Sequence, residues 1–177
     1  QDPIEQSGTF ELPEAQLDRF MLCHRLDYPT PDEEEEILRR NLKLGISEKD
    51  GGAVAKTEFD LIGDNAVGTT GDLVAATQAV HKIHVSDVFL KHVIDVVERT
   101  RKHPDLELGC SPRAGISLLK ASRARALILG RDYVIPEDLF SLAEDVCLHR
   151  IRLSYEALAE GKTPKGILNE ILETSVS

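Results

Sequence analysis

Two arginines stand where a guanidinium could meet an anion. Arg113 follows Ser111 and Pro112, which read as the N-cap and first position of a helix, so Arg113 falls at the second. Free amides and the positive end of the helix dipole gather there, and a cation is unfavourable for the helix alone. An anion docking at that point would reconcile the two, because guanidinium and amides would then cooperate. The alternative is an ion pair with a carboxylate of the surface. Arg19 stands in Leu17-Asp18-Arg19-Phe20, just before the best strand candidate, Phe20–Leu26. An arginine at a strand entry can reach across an interface to a phosphate, or it can pair with Asp18 or Glu14. No metal chemistry is expected: Cys23, Cys110 and Cys147 are widely spaced, and no Cys-x-x-Cys or His-Glu-x-x-His occurs.

The elements that must position these residues are mostly helical. Tyr28-Pro29 ends the expected strand. Thr30, Pro31 and Glu33 predict a capping box opening a helix to about Leu44, with the acidic run Asp32–Glu36 at its favourable end and Gly45 as cap. Residues 46–71 carry five glycines and read as an exposed loop with a short extended piece near Phe59–Ile62. A short helix follows over Asp72–His81. Ser86 caps another, with the stripe Leu90, Val93, Ile94, Val97. The helix begun at Ser111-Pro112 should bury Ile116, Leu119, Leu127 and several alanines, and end at Gly130. Pro136 opens one with Leu139, Leu142, Ala143 and Val146 inward. Thr163-Pro164 opens a last one with Ile167, Leu168, Ile171 and Leu172 apolar. Short connections favour an antiparallel bundle.

Composition narrows the partners. The 177 residues include 41% hydrophobic but only 5% aromatic ones and no Trp, so the core rests on Leu, Ile, Val and Ala, a mixture suited to helix packing. A formal charge of −10 disfavours nucleic-acid binding despite the cluster Arg123, Arg125 and Arg131. No apolar run is long enough to span a bilayer and no secretory signal is visible. The odd, scattered cysteines fit a reducing cytoplasm. The first residue is Gln1, so the chain is expected to begin inside a longer protein or after a processing site.

Two long segments carry more than patterning. Gln1-Asp2-Pro3-Ile4-Glu5-Gln6-Ser7-Gly8-Thr9-Phe10, continued by Leu12-Pro13-Glu14-Ala15-Gln16-Leu17-Asp18-Arg19-Phe20, resembles the end of the ATPase core in the MoxR family of AAA+ proteins. Asp105-Leu106-Glu107-Leu108-Gly109-Cys110-Ser111-Pro112-Arg113-Ala114, with Gly130-Arg131-Asp132-Tyr133-Val134-Ile135-Pro136-Glu137-Asp138, resembles that family's lid. The resemblance implies a mainly α fold: a helical AAA+ lid bundle preceded by a short strand-containing remnant of the α/β ATPase core. The implied division is 1–29 for the remnant and 30–177 for the lid, with the Gly-rich loop at 46–71. Arg19 would be the arginine finger acting on a neighbouring subunit. Arg113 would be sensor 2, with Ser111 and Pro112 beside it at the nucleotide. Asp2 falls at the sensor 1 position, where the family usually has Asn; an ionised Asp can only accept hydrogen bonds.

The resemblance further implies a chaperone-like, ATP-driven remodelling factor that assembles as a homo-oligomeric ring and acts on clients, including ones with metal-dependent adhesion domains. No Gly-x-x-x-x-Gly-Lys-Ser/Thr occurs in the 177 residues. ATP and magnesium are therefore expected only with a core that this chain lacks, and the chain alone is expected not to hydrolyse ATP. The strand over Phe20–Leu26 would lack its parallel neighbours, so residues 1–28 should be disordered, repacked or paired with another copy. The competing reading is a stand-alone helical protein-interaction module without nucleotide contact.

Overall fold

The computed structural model describes residues 12–49, 51–62 and 66–175. In chain order the elements are α1 (Glu14–Leu17), α2 (Pro31–Leu42), β1 (Ile46–Lys49), β2 (Gly52–Ala55), α3 (Glu58–Ile62), α4 (Thr70–Lys82) and α5 (Asp87–Lys102). There follow β3 (Leu106–Leu108), α6 (Pro112–Ile128), α7 (Pro136–Cys147), a 3-10 turn at Leu148–Arg150, β4 (Arg152–Leu153), α8 (Tyr155–Ala159) and α9 (Pro164–Ser175). They fall into two compact units. One is Arg25–Ala75; the other joins the residues up to His24 to those from Ala76 onward.

In the Arg25–Ala75 unit, α2 starts as its sequence dictates. The Thr30 amide donates to Glu33 Oε2 at 2.8 Å and the Glu33 amide donates to Thr30 Oγ1 at 3.4 Å. Arg40 pairs with Glu36 one turn back at 2.9 Å. None of α2 is buried; Ile37, Leu38 and Leu42 face outward and Leu44 is the buried residue nearby. The glycine-rich stretch is not plain loop. β1 and β2 form an antiparallel hairpin with Ile46 opposite Ala55, turned through Gly51 at φ 79°. The expected extended piece at Phe59–Ile62 is helical instead, and Asp60 reaches back to its start: the Thr57 amide and hydroxyl donate to Asp60 Oδ2 at 2.6 and 2.8 Å.

The other unit is a helical bundle, with α5, α6, α7 and α9 around one core. Ser86 caps α5 by accepting from the Phe89 amide at 3.1 Å. Its buried face is Phe89, Val93, Val96, Val97 and Thr100; Leu90 and Ile94 are exposed. The helical period was therefore legible, but the buried stripe is rotated from the expected one. In α6 the inward residues are Ala114, Leu118, Ala121 and Ala126, with Leu119 and Leu127 half-buried and Ile116 exposed. Helix α7 buries Leu139, Ala143 and Val146 as expected but leaves Leu142 half-buried, and α9 buries Ile167, Leu168 and Ile171 with Leu172 half-buried.

Helix α6 ends in a Schellman motif: Gly130 at φ 73° donates to Leu127 O at 2.9 Å, and the Arg131 amide donates to Ala126 O at 2.9 Å. That turn presents Arg131 to Asp138, which is fully buried at the start of α7. Asp138 accepts from the Ile135 amide (3.0 Å), from Arg131 Nη1 (2.8 Å) and from Arg125 Nη1 (2.7 Å). Burial pushes its carboxyl up, but Arg131, the Ile135 amide and Arg125 outweigh this and hold it below the ordinary aspartate range.

The strand expected over Phe20–Leu26 is not formed. The segment runs without regular structure, and its backbone groups bond to α7 and the turn after it: the Cys23 amide donates to Asp145 O at 2.8 Å. Alternating residue types can suggest a strand, but a strand needs a partner edge, and the lid supplies side chains and a helix end instead. Residues 18–23 bond to Ser111, Arg150 and Asp145. Asp2 lies outside the described residues.

Candidate functional site: a carboxylate between two arginines

Ser111 and Arg113 are delivered by a close backbone crossing. Gly109 passes the last turn of α5 so tightly that a Cβ there would sit 2.6 Å from Thr100 O and from Arg101 Cα. The crossing is pinned on both sides: the Cys110 amide donates to Thr100 Oγ1 at 2.9 Å, and Arg101 Nε donates to Cys110 O at 2.7 Å. Ser111 then caps α6, accepting from the Arg113 amide at 3.1 Å, and Pro112 fills the first position. The sequence reading of this helix start holds. Its free amides, however, are fewer than expected. Pro112 has none, the Arg113 amide is bonded to Ser111 Oγ, and the Ala114 amide donates to Ser111 O at 3.0 Å. What this helix start offers a negative group is the guanidinium and the helix dipole rather than a ring of amides.

What Arg113 meets at this helix start is the alternative reading, an ion pair with a carboxylate of the chain itself. Asp18, at the end of α1, accepts from Ser111 Oγ at 2.7 Å through Oδ1 and from Arg113 Nη1 at 3.2 Å through Oδ2. A third donor is Arg150, whose Nε lies 3.1 Å from Oδ1. Burial raises the Asp18 carboxyl, while Ser111, Arg113 and Arg150 together lower it further, leaving it below the ordinary range. The Arg113 side chain remains 58% exposed, and the Asp18 side chain is largely covered.

Arg150 is the residue that sequence reasoning missed. Its side chain is 1% exposed. Besides Asp18 it donates to the carbonyls of Phe20 and Val146, to Asp18 O at 3.1 Å and to Met21 O at 3.4 Å. A signal existed: Leu139, Ala143, Val146 and Arg150 continue one inward stripe, so an arginine falls where an apolar residue is due. A buried arginine needs its donors satisfied, and here backbone carbonyls and one carboxylate do so.

Arg19 is placed differently. It sits in the turn after α1, with its amide donating to Gln16 O at 3.1 Å, and it is exposed. The anticipated pairing with Asp18 is not made, because Asp18 is committed to Ser111, Arg113 and Arg150, and no ion pair engages Arg19 among the described residues. The structure thus brings Ser111, Pro112 and Arg113 together, sets Arg19 one residue from their shared counter-ion, and leaves its guanidinium in solvent.

Nearby, Cys110 and Cys147 are buried against one another. Hydrogen bonding to Cys110 and burial both hold the Cys147 thiol well above its ordinary range, whereas hydrogen bonds from Cys147 and Thr100 outweigh burial and lower Cys110. Among the described residues, no group of three or more His, Cys, Asp or Glu side chains is placed to hold a metal ion, and no helix is long and apolar enough to cross a membrane.

Residues 98–171 match the AAA lid domain. Over 97% of its length the chain is 37% identical to the uncharacterized protein YeaC of Bacillus subtilis. Over 98% it is 35% identical to the chaperone MoxR1 of Mycobacterium tuberculosis, and over 91% it is 30% identical to protein MoxR of Paracoccus denitrificans. These matches cover 49%, 44% and 50% of the respective relatives, so the chain spans about half the length of the curated relatives it matches. The crystal structure of a Cytophaga hutchinsonii protein provisionally identified as an ATPase superposes with a TM-score of 0.78 at 31% identity, covering 98% of this chain and 51% of that one.

Proposed function

We propose, from the matches to the AAA lid domain and to the MoxR proteins, that this chain is part of a MoxR-type AAA+ protein and supplies the lid and the trans-acting arginine of an ATP-driven, chaperone-like remodelling factor. The observation that carries the reading is the Asp18 cluster: an exposed guanidinium, Arg113, waits at a helix start on a replaceable carboxylate, and a second exposed guanidinium, Arg19, stands next to that carboxylate. In this reading Arg113 leaves Asp18 for the phosphates bound by its own subunit, beside Ser111 and Pro112. Arg19 reaches the nucleotide of the adjacent subunit and stabilises charge as phosphoryl transfer proceeds. Asp2 takes the sensor 1 position.

The donors present suit phosphate oxygens: one guanidinium, one hydroxyl and a helix dipole. ATP and magnesium would be held by a core bearing the phosphate loop, which is not among these 177 residues. When bound, that nucleotide supplies the reactive phosphoanhydride; this chain's residues bind, orient and neutralise. Assembly as a ring follows from an arginine that acts in trans. Clients with metal-dependent adhesion domains and a cytoplasmic site of action complete the proposal.

The test is ATP hydrolysis by the intact subunit. Arg19→Ala and Arg113→Ala should each lower the rate by about 10³-fold or more, the scale of arginine fingers. Mixing the two inactive variants should restore part of the activity, because their defects fall on different sides of a shared site. Wild-type rates in both variants would end the reading.

A further inference from the structure

One guanidinium holds the chain on both sides of Arg19. Arg150 Nη2 donates to Asp18 O at 3.1 Å and to Phe20 O, and Nη1 donates to Met21 O at 3.4 Å. The Val146 carbonyl and Ser117 Oγ, the latter at 3.4 Å, tie the same group to the body of the lid. Arg19 is therefore bracketed through its neighbours while its own side chain is left outside. The Asp18 carboxylate closes the circuit. Oδ1 takes the buried, immobile Arg150 at 3.1 Å, and Oδ2 takes the exposed, movable Arg113 at 3.2 Å.

We propose that Asp18 and Arg150 are positioning residues that couple the two arginines: a phosphate group that draws Arg113 off Asp18 resets the 18–21 turn and so the reach of Arg19 into the neighbouring subunit. This deepens the reading above and rests on it. Two states differ by one exchange of anion. With Arg113 on Asp18, the carboxylate is shared between two cations. With Arg113 on phosphate, Asp18 keeps Ser111 and Arg150 alone and can close further on Arg150, moving the carbonyls that Arg150 also holds. By linkage, engagement of Arg19 on the neighbour must alter the availability of Arg113 in return. The fork geometry matters. A guanidinium can serve a carboxylate and several carbonyls at once, and a lysine ammonium, a single point with three donors, cannot.

The experiment uses the intact subunit, with steady-state ATP hydrolysis and Arg19→Ala and Arg113→Ala as references. Asp18→Asn keeps the shape and an acceptor but removes the charge that holds Arg113. The expected result is a KM for ATP about two- to fivefold lower, because the competing carboxylate is gone, with kcat lower by roughly tenfold or more, because Arg19 is no longer held in place. Lost folding alone would lower the active fraction without lowering KM. Arg150→Lys is the second variant and decides the matter if Asp18→Asn does not fold. It should fail to recover activity when mixed with Arg19→Ala subunits, since both lack the trans-acting group, and it should recover when mixed with Arg113→Ala subunits. Unchanged KM and kcat in Asp18→Asn, or recovery of Arg150→Lys by Arg19→Ala, overturns the coupling while inactive reference variants keep the functional reading standing. Fully active reference variants overturn both.

Discussion

Substituting Asp138 by Asn removes a negative charge that is fully buried at the start of α7. The carboxylate meets Arg131 at 2.8 Å, Arg125 at 2.7 Å and the Ile135 amide at 3.0 Å. Breaking a buried ion pair by removing one partner costs about 3–5 kcal/mol. The two guanidiniums are 20% and 34% exposed, so water relieves part of the strain on them, and the lower end, about 3 kcal/mol, is the expected loss. In a unit of this size each kcal/mol is worth roughly 3–4 °C, which puts the fall in Tm near about 10 °C. The pH dependence carries a sign. The folded-state pKa lies below the ordinary aspartate value of 3.8, so the carboxylate's contribution is complete above that value and is lost as pH falls through the folded pKa. Thermal and urea unfolding followed by circular dichroism at pH 7 and at steps down to pH 2 would show the wild-type advantage shrinking only below about pH 4. A variant within 1 kcal/mol of wild type at pH 7, or a difference independent of pH throughout, would refute the reasoning.

Other outcomes follow from the same structure. Gly109→Ala places a methyl group 2.6 Å from backbone atoms of α5 and should cost about 1–3 kcal/mol in urea unfolding. Arg113→Ala removes a side chain that is 58% exposed, so it should cost about 1 kcal/mol or less in the same assay while abolishing hydrolysis in the intact subunit; a large stability loss would mark Arg113 as structural. In native protein a colorimetric thiol reagent should find Cys23 quickly and reach Cys110 and Cys147 only on unfolding, because the first is exposed and the other two are buried. Asp18, also held below its ordinary range, should add stability above pH 4 that fades as the pH falls, and Asp18→Ala should flatten that part of the profile.

What could be seen in advance was local. Thr30-Pro31, Ser86 and Ser111-Pro112 mark helix starts through contacts made within three residues, and each starts where those contacts place it. That locality suffices to set Arg113 at its helix position. Long-range pairing had no such trace. Asp18 meets Arg113 and Arg150 across 95 and 132 residues, and nothing in the spacing selects Asp18 over the thirty other carboxylates. The phase error in α5 has a similar origin. Leu90 and Ile94 satisfy the helical period as well as Phe89 and Val96 do, and only the packing of α6 and α9 decides which face is covered. Phe20–Leu26 alternates in residue type but has no neighbouring edge to pair with, and no strand forms there.

Gly109 sets a rule about what kinds of change this lid can absorb. Because the approach of the 109–111 segment to α5 is backbone against backbone, the height of Ser111 and Arg113 along the bundle does not depend on which apolar side chains fill the core. Volume-conserving exchanges of Leu, Ile and Val within α5, α6, α7 and α9 should therefore leave the arginine in its place. Adding or deleting one residue between Lys102 and Ser111 would instead rotate the whole start of α6 past Asp18. The connection is thus tolerant in spelling and strict in length, and a ruler of that kind keeps Arg113 at a constant distance from its counter-ion while the rest of the bundle drifts.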